Sequence, residues 1–434
     1  MTRTLIRGGV ALSTILLTSG TGVAQSTSST SGPSFAALYA IGDSLAAGFS
    51  NGSLVDAHQK NSVPALIAQQ AAQSVQLPLI SEPGIPAELT LVSLSGPTGV
   101  VILPKATSTG APENLTFAGT YNDVAVPGST AIDALQTVAD ANPFTGIILR
   151  GFGSQLSQVA NAHPSFVVVW VGNNDVLGAV VNGEAIEGVT LTPPGVFAQV
   201  YAQIITTLVG TGATVVAANL PDVTTIPYVT AISPFVTNPA TGLPVTVNGV
   251  PVGLIGPNGP LNSADFVTLA AAPFLARGTG IPAALGGNGQ PLPDNVILDP
   301  NKIATIQAHV QEDNQAISQI CSGAKVPLVD INGILKEFAS TGRDIGGIHL
   351  TAAFLSGGVF GFDGIHPTDL GYAIVANEWI NVINANGGSL PPVALAPYIG
   401  VGSASVSPDK TIPFRFTAED QARLEEIFPK HRRP

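Results

Sequence analysis

The chain is poor in cysteine, and that bounds its chemistry first. Of 434 residues only Cys321 is a cysteine, so no internal disulfide can form. A chain this long buries enough apolar surface without such staples. Charge is scarce as well. Asp, Glu, Lys and Arg make up 10% of the chain, against roughly 25% in an average soluble protein. Positive charge is scarcer still: 16 Lys and Arg face 28 Asp and Glu, for a net charge of −12. No basic cluster precedes Lys430–Arg433, so an extended nucleic-acid groove is excluded by repulsion from the phosphates. With 2 Trp and 6 Tyr the chain also has little to build aromatic platforms for a polysaccharide.

Metal and cofactor signatures are missing. The histidines other than His366, namely His58, His163, His309, His349 and His431, show neither an i, i+4 pair nor an H-E-x-x-H or Cys/His spacing. Neither a Gly-x-Gly-x-x-Gly after a strand nor a P-loop occurs, so no dinucleotide or nucleotide cofactor and no metal is expected.

What is abundant is apolar and turn-forming. Hydrophobic residues reach 45%, with 48 Gly and 35 Pro. That content disfavours a helical bundle or coiled coil, and the low charge disfavours intrinsic disorder. Arg3 and Arg7, the apolar stretch Gly8–Leu17 and the small residues Gly22-Val23-Ala24 read as a signal peptide over residues 1–24. The stretch is shorter than the about 20 apolar residues of a membrane span. Cleavage near Ala24 would deliver the protein outside the cytoplasm, to the periplasm or beyond. A flexible leader, residues 25–34, then precedes one domain over 35–386.

Within that domain short apolar runs alternate with helical periodicity. Phe35–Ile41, Phe166–Val171, Thr214–Leu220 and Val326–Ile331 read as strands, each with polar residues at its C-terminal end. Val196, Phe197, Val200, Tyr201, Ile204, Ile205 and Leu208 keep i, i+3, i+4 spacing, as do Ile303, Ile306, Val310, Ile317 and Ile320. Thr368 caps a third helix reaching Ile383. Such alternation predicts an α/β sandwich around a parallel sheet, with ligands at the carboxyl ends of the strands. Residues 76–119 and 231–300 break the pattern as loop-like insertions, the second with a hairpin turning on Asn248-Gly249. A Pro-rich tail, 387–434, ends in a short helix near Thr417–Phe428. Cys321 shares a helical face with Ile317 and is expected to be buried and inert.

The chemistry lies in the strand-end residues. Ser44, in Gly42-Asp43-Ser44-Leu45, stands where a strand gives way to a helix, which exposes a hydroxyl. In Asp363-Gly364-Ile365-His366-Pro367 the carboxylate can hold the imidazole in one tautomer while the other ring nitrogen faces a nucleophile. Asn174 and Gly128 can supply oxyanion donors, a side-chain amide and an unobstructed backbone N–H.

With these blocks in this order the sequence resembles the GDSL or SGNH hydrolases, serine esterases and lipases with a flavodoxin-like three-layer core. Gly42–Leu45 matches the first block, Asn122 through Gly128 the second, Gly172-Asn173-Asn174-Asp175 the third and Asp363 with His366 the last. The resemblance implies an α/β/α fold, a Ser44–His366–Asp363 triad, an oxyanion hole of Ser44, Gly128 and Asn174, and an acyl-enzyme. It implies a small-molecule or lipid-like ester as substrate. Polysaccharide deacetylation and acyl transfer to an alcohol are rivals within the family. A non-catalytic surface binding protein on a degenerate hydrolase fold is the rival from another class, although a binder has no need of a polar triad.

Overall fold

The computed structural model describes residues 32–399, apart from 97, 98 and 240, together with 414, 415 and 422. The expected signal peptide, the leader up to residue 31 and, but for residue 422, the expected tail helix lie outside the described residues.

Four parallel strands form the centre: β1 (Leu38–Gly42), β2 (Phe166–Trp170), β3 (Thr214–Ala218) and β4 (Leu328–Val329), paired in that order. All of β2 is buried, odd and even positions alike, so both faces of the sheet are covered. Residues 122–126 run parallel along the free edge of β1, where the Ala40 N–H donates to Asn122 O at 2.7 Å and the Val126 N–H to Gly42 O at 3.2 Å. Counting this edge, the chain fills the sheet in the order 2-1-3-4-5. That is a doubly wound α/β/α sandwich of the flavodoxin type, whose switch point falls between β1 and β2.

The helices follow from sequence periodicity. They are α1 (Ser44–Ala47), α2 (Val63–Gln70), α3 (Asn174–Asn182), α4 (Pro194–Gly210), α5 (Pro300–Ala324), α6 (Ile331–Ser340) and α7 (Asp369–Ala385). In α4 the residues Phe197, Tyr201, Ile204, Ile205 and Leu208 are fully buried, and the helix packs on α5. α7 packs on α2, and its Trp379 reaches Trp170 of the sheet with ring centres 6.3 Å apart. Thr368 caps α7 by accepting the Gly371 N–H at 3.1 Å. Cys321 is buried, and its burial pushes the thiol up to about 11 despite the neighbouring Tyr201 hydroxyl, which suits an unreactive core residue.

Two details depart from the sequence reading and one agrees with it. β4 has two residues because Asp330 turns the chain, accepting the Gly333 N–H to cap α6, and Ile331 is already helical. The insertion at 76–119 is not wholly loop: Leu89–Gly96 pairs antiparallel with Gly99–Pro104. Leu89 and Ile102 on that hairpin bury against Leu355. The insertion at 231–300 does carry its hairpin, Thr246–Val247 against Val250–Pro251, with Asn248 and Gly249 at φ 52° and 81° as this tight turn requires.

Candidate active site

Ser44 comes straight off the switch point. Gly42, the last residue of β1, has no room for a side chain: a Cβ there would lie 2.5 Å from Ala46 Cβ and from Trp170 O. Asp43 then caps α1 by accepting the Leu45 N–H at 3.0 Å, and this fixes Ser44 as the first helical residue. The second Asp43 oxygen accepts from the Asn173 side-chain amide at 2.8 Å, tying the end of β1 to the loop after β2. Burial pushes Asp43 up to about 6, with these donors pulling the other way.

The loop before α7 meets Ser44 across the sheet edge. His366 Nε2 lies 2.9 Å from Ser44 Oγ, and His366 Nδ1 lies 2.8 Å from Asp363 Oδ2. All three side chains are buried, at 2%, 0% and 0% exposure for Ser44, His366 and Asp363. Asp363 Oδ1 also accepts the N–H groups of Ile365 and His366, at 2.8 and 2.9 Å, and Oδ2 accepts that of Gly52 at 2.7 Å. Burial alone would favour the neutral acid, but the facing imidazole and these N–H groups hold Asp363 below the usual carboxylate range. It is therefore an anion that orients the ring. The Phe49 ring packs on the imidazole, 4.7 Å between centres.

Asn174 opens α3 and is buried. Its amide donates to Ser129 O at 2.9 Å, which leaves the second amide hydrogen uncommitted. Gly128 sits in the turn Pro127–Ser129 at φ 83°, a left-handed conformation that suits glycine. Asp175 links the same two segments, accepting the Ala131 N–H at 2.8 Å. The structure thus brings Ser44, His366 and Asp363 into one hydrogen-bonded chain, and joins the Asn174 and Gly128 segments to each other.

The sequence profile of the GDSL-like lipase/acylhydrolases matches residues 38–379. The chain belongs to this family. Among solved structures, this GDSL-family protein is similar to the lipase/acylhydrolase from Enterococcus faecalis, at 12% identity over 82% of this chain and 100% of that one, with a TM-score of 0.33. It is also similar to TesA, at 12% identity over 80% and 98% with a TM-score of 0.31. An acetyl-xylooligosaccharide esterase from Geobacillus matches at 13% identity over 80% and 93%, with a TM-score of 0.34. No curated protein matches the sequence. The family is one of GDSL-type ester hydrolases, and among the described residues no helix is long and apolar enough to cross a membrane.

Around this GDSL-family site the fold adds residues that sequence reasoning missed. Glu88, on the 76–119 insertion, accepts from Asn51 Nδ2 and meets His58 Nε2, both at 2.9 Å. His58 Nδ1 meets Asp369 at 2.7 Å, and Asn51 Oδ1 accepts the Phe362 N–H at 2.9 Å. Burial alone would lower His58, but Asp369 and Glu88 together push it up to about 10, so it is a cation locked between two carboxylates. Through Asn51 and Gly52 this cluster braces the Asp363 loop. Only the Asn51-Gly52 turn dipeptide hints at it in the sequence. His349 stands apart: it is exposed and paired with Asp344 at 2.8 Å.

Next along the chain from Ser44 and His366 lies a small apolar cleft of about 80 Å³, which neither of those side chains lines. Leu45, Trp170, Ile331, Leu335, Phe338 and Ile365 are among its walls. Leu45 follows Ser44 and Ile365 precedes His366, so chain neighbours of both residues contribute to the cleft.

Proposed function

We propose that this protein hydrolyses carboxylic esters through Ser44, His366 and Asp363 by way of an acyl-enzyme. The observation that carries the reading is the buried chain from Ser44 Oγ through His366 to Asp363, at 2.9 and 2.8 Å. Ser44 Oγ attacks the ester carbonyl carbon as its proton passes to His366 Nε2. Asp363 orients the imidazolium, and the Ser44 and Gly128 N–H groups with the Asn174 amide hold the oxyanion. Collapse expels the alcohol, which takes the proton from His366. Water then attacks the acyl-enzyme by the same route and frees the acid.

The apolar cleft supports an ester with a lipid-like or medium-length acyl chain, since its walls offer an alkyl chain burial and offer a sugar few polar partners. The signal peptide read over residues 1–24 supports action outside the cytoplasm. A fluorophosphonate probe with a series of nitrophenyl esters tests the proposal. Labelling and turnover are expected in the parent and neither in Ser44→Ala, with the fold retained by circular dichroism. Unchanged turnover in that variant would overturn it.

A further inference from the structure

Between Asp222 and Asp265 the sequence has no Asp, Glu, Lys, Arg or His, although the whole chain carries a net charge of −12. This stretch includes the hairpin Thr246–Pro251, and every strand residue of that hairpin is exposed. Leu243, Val247 and Val250 are 60%, 57% and 66% exposed. Val247 and Val250 are direct partners in the hairpin, so their side chains stand together on one face. An ordinary solvent-facing hairpin would carry polar or charged side chains there, and a two-stranded hairpin with no buried face is marginal by itself. Among the described residues it is held at its base, where the Val236 N–H donates to Val252 O and the Val245 N–H to Val236 O, both at 2.8 Å.

The same stretch begins at the site. Ile226 lines the apolar cleft, and the Tyr228 N–H donates to Gly364 O at 2.8 Å, within the Asp363–His366 loop. An uncharged segment therefore runs from the wall of the cleft to a projecting apolar tip. We propose that this hairpin docks the protein on a neutral lipid surface. Its uncharged, apolar side chains partition into such a surface. The acidic remainder of the molecule is repelled by an anionic one, so the fitting surface is zwitterionic or uncharged. The inference extends the ester reading by presenting water-insoluble esters to the cleft, yet it is read without turnover.

The experiment is co-sedimentation of the full chain with phosphatidylcholine vesicles, comparing the parent with the double variant Val247→Asp/Val250→Asp. The parent is expected to sediment with the vesicles, and more weakly once phosphatidylglycerol is mixed in. The double variant should partition at least on the order of tenfold more weakly. Both proteins should hydrolyse a soluble short-chain nitrophenyl ester equally. The proposal is overturned if the parent stays in the supernatant, or if the variant sediments as well as the parent. It is overturned too if analytical ultracentrifugation shows a parent dimer that the substitutions dissociate while neither protein binds vesicles, which would make the hairpin a contact between copies. A failed ester assay with intact vesicle binding would instead remove only the ester reading.

Discussion

Asn174 has two amide hydrogens, and among the described residues one of them is used, on Ser129 O. In the proposed mechanism the other is the donor that the oxyanion takes. Donors of this kind contribute through charge developed in the transition state, so their loss lowers turnover more than binding. Asn174→Ala should reduce kcat by about 10²–10³ with KM little changed. Steady-state kinetics on one nitrophenyl ester checks this, and a rise in KM at constant kcat would assign Asn174 to substrate binding. At this scale the sequence was most legible where partners are close along the chain. Asp363 and His366 are three residues apart, so their pairing can be read from spacing. Asp43 with Asn173, and Glu88 with His58 and Asn51, were not readable, because those partners are brought together only by the tertiary fold.

Among the elements, α6 and α7 form much of the cleft, with Leu335 and Phe338 contributed by α6. A large side chain on α6 shortens the space without touching Ser44 or His366. Leu335→Trp should therefore shift the preferred acyl chain toward shorter lengths, cutting octanoyl ester turnover at least about tenfold while acetyl ester turnover stays near the parent's. A chain-length series gives the answer directly, and an unchanged profile would place the acyl chain elsewhere. The elements themselves were legible in proportion to their regularity. β2 and α4 carry unbroken patterns, five buried strand residues in one case and a continuous apolar stripe in the other. The hairpin at 89–104 hid because its pairing register shifts between Leu91 and Ser93 and again before Gly96. Val92 is 58% exposed beside it, so the alternation that marks a strand is lost there.

For the whole molecule, buried acids make stability depend on pH in an uncommon direction. Asp313 on α5 is fully buried and neither carboxylate oxygen has a hydrogen-bond partner. That burial, with Asp175 and Glu312 nearby, pushes it up to about 8. Burial likewise pushes Asp123 up to about 8, against the Ala125 N–H. The folded state thus keeps protons that the unfolded chain releases near its ordinary value of about 4. The contribution of these two acids to the unfolding free energy should fall as pH rises from about 4 toward 8, then level off. Asp313→Asn removes one of these protons. Its Tm by calorimetry should come closest to the parent's near pH 4 and exceed it by a few degrees near pH 8.5. Equal values at both would mean that Asp313 is ionised in the fold. The parallel α/β sandwich was legible at this scale because each strand-helix alternation was, while its flavodoxin type was implied by the family resemblance. The edge strand at 122–126 was not, since a single bridge and a few hydrogen bonds define it.

Glu88 also sets a limit on remodelling. It stands at the base of the 89–104 hairpin, next to Leu89, while its carboxylate faces Asn51 and His58. Anyone trimming that insertion to make a smaller enzyme would sever a brace on the aspartate that aims the imidazole. An insertion outside the α/β alternation is thus mechanically joined to the loop that carries Asp363 and His366.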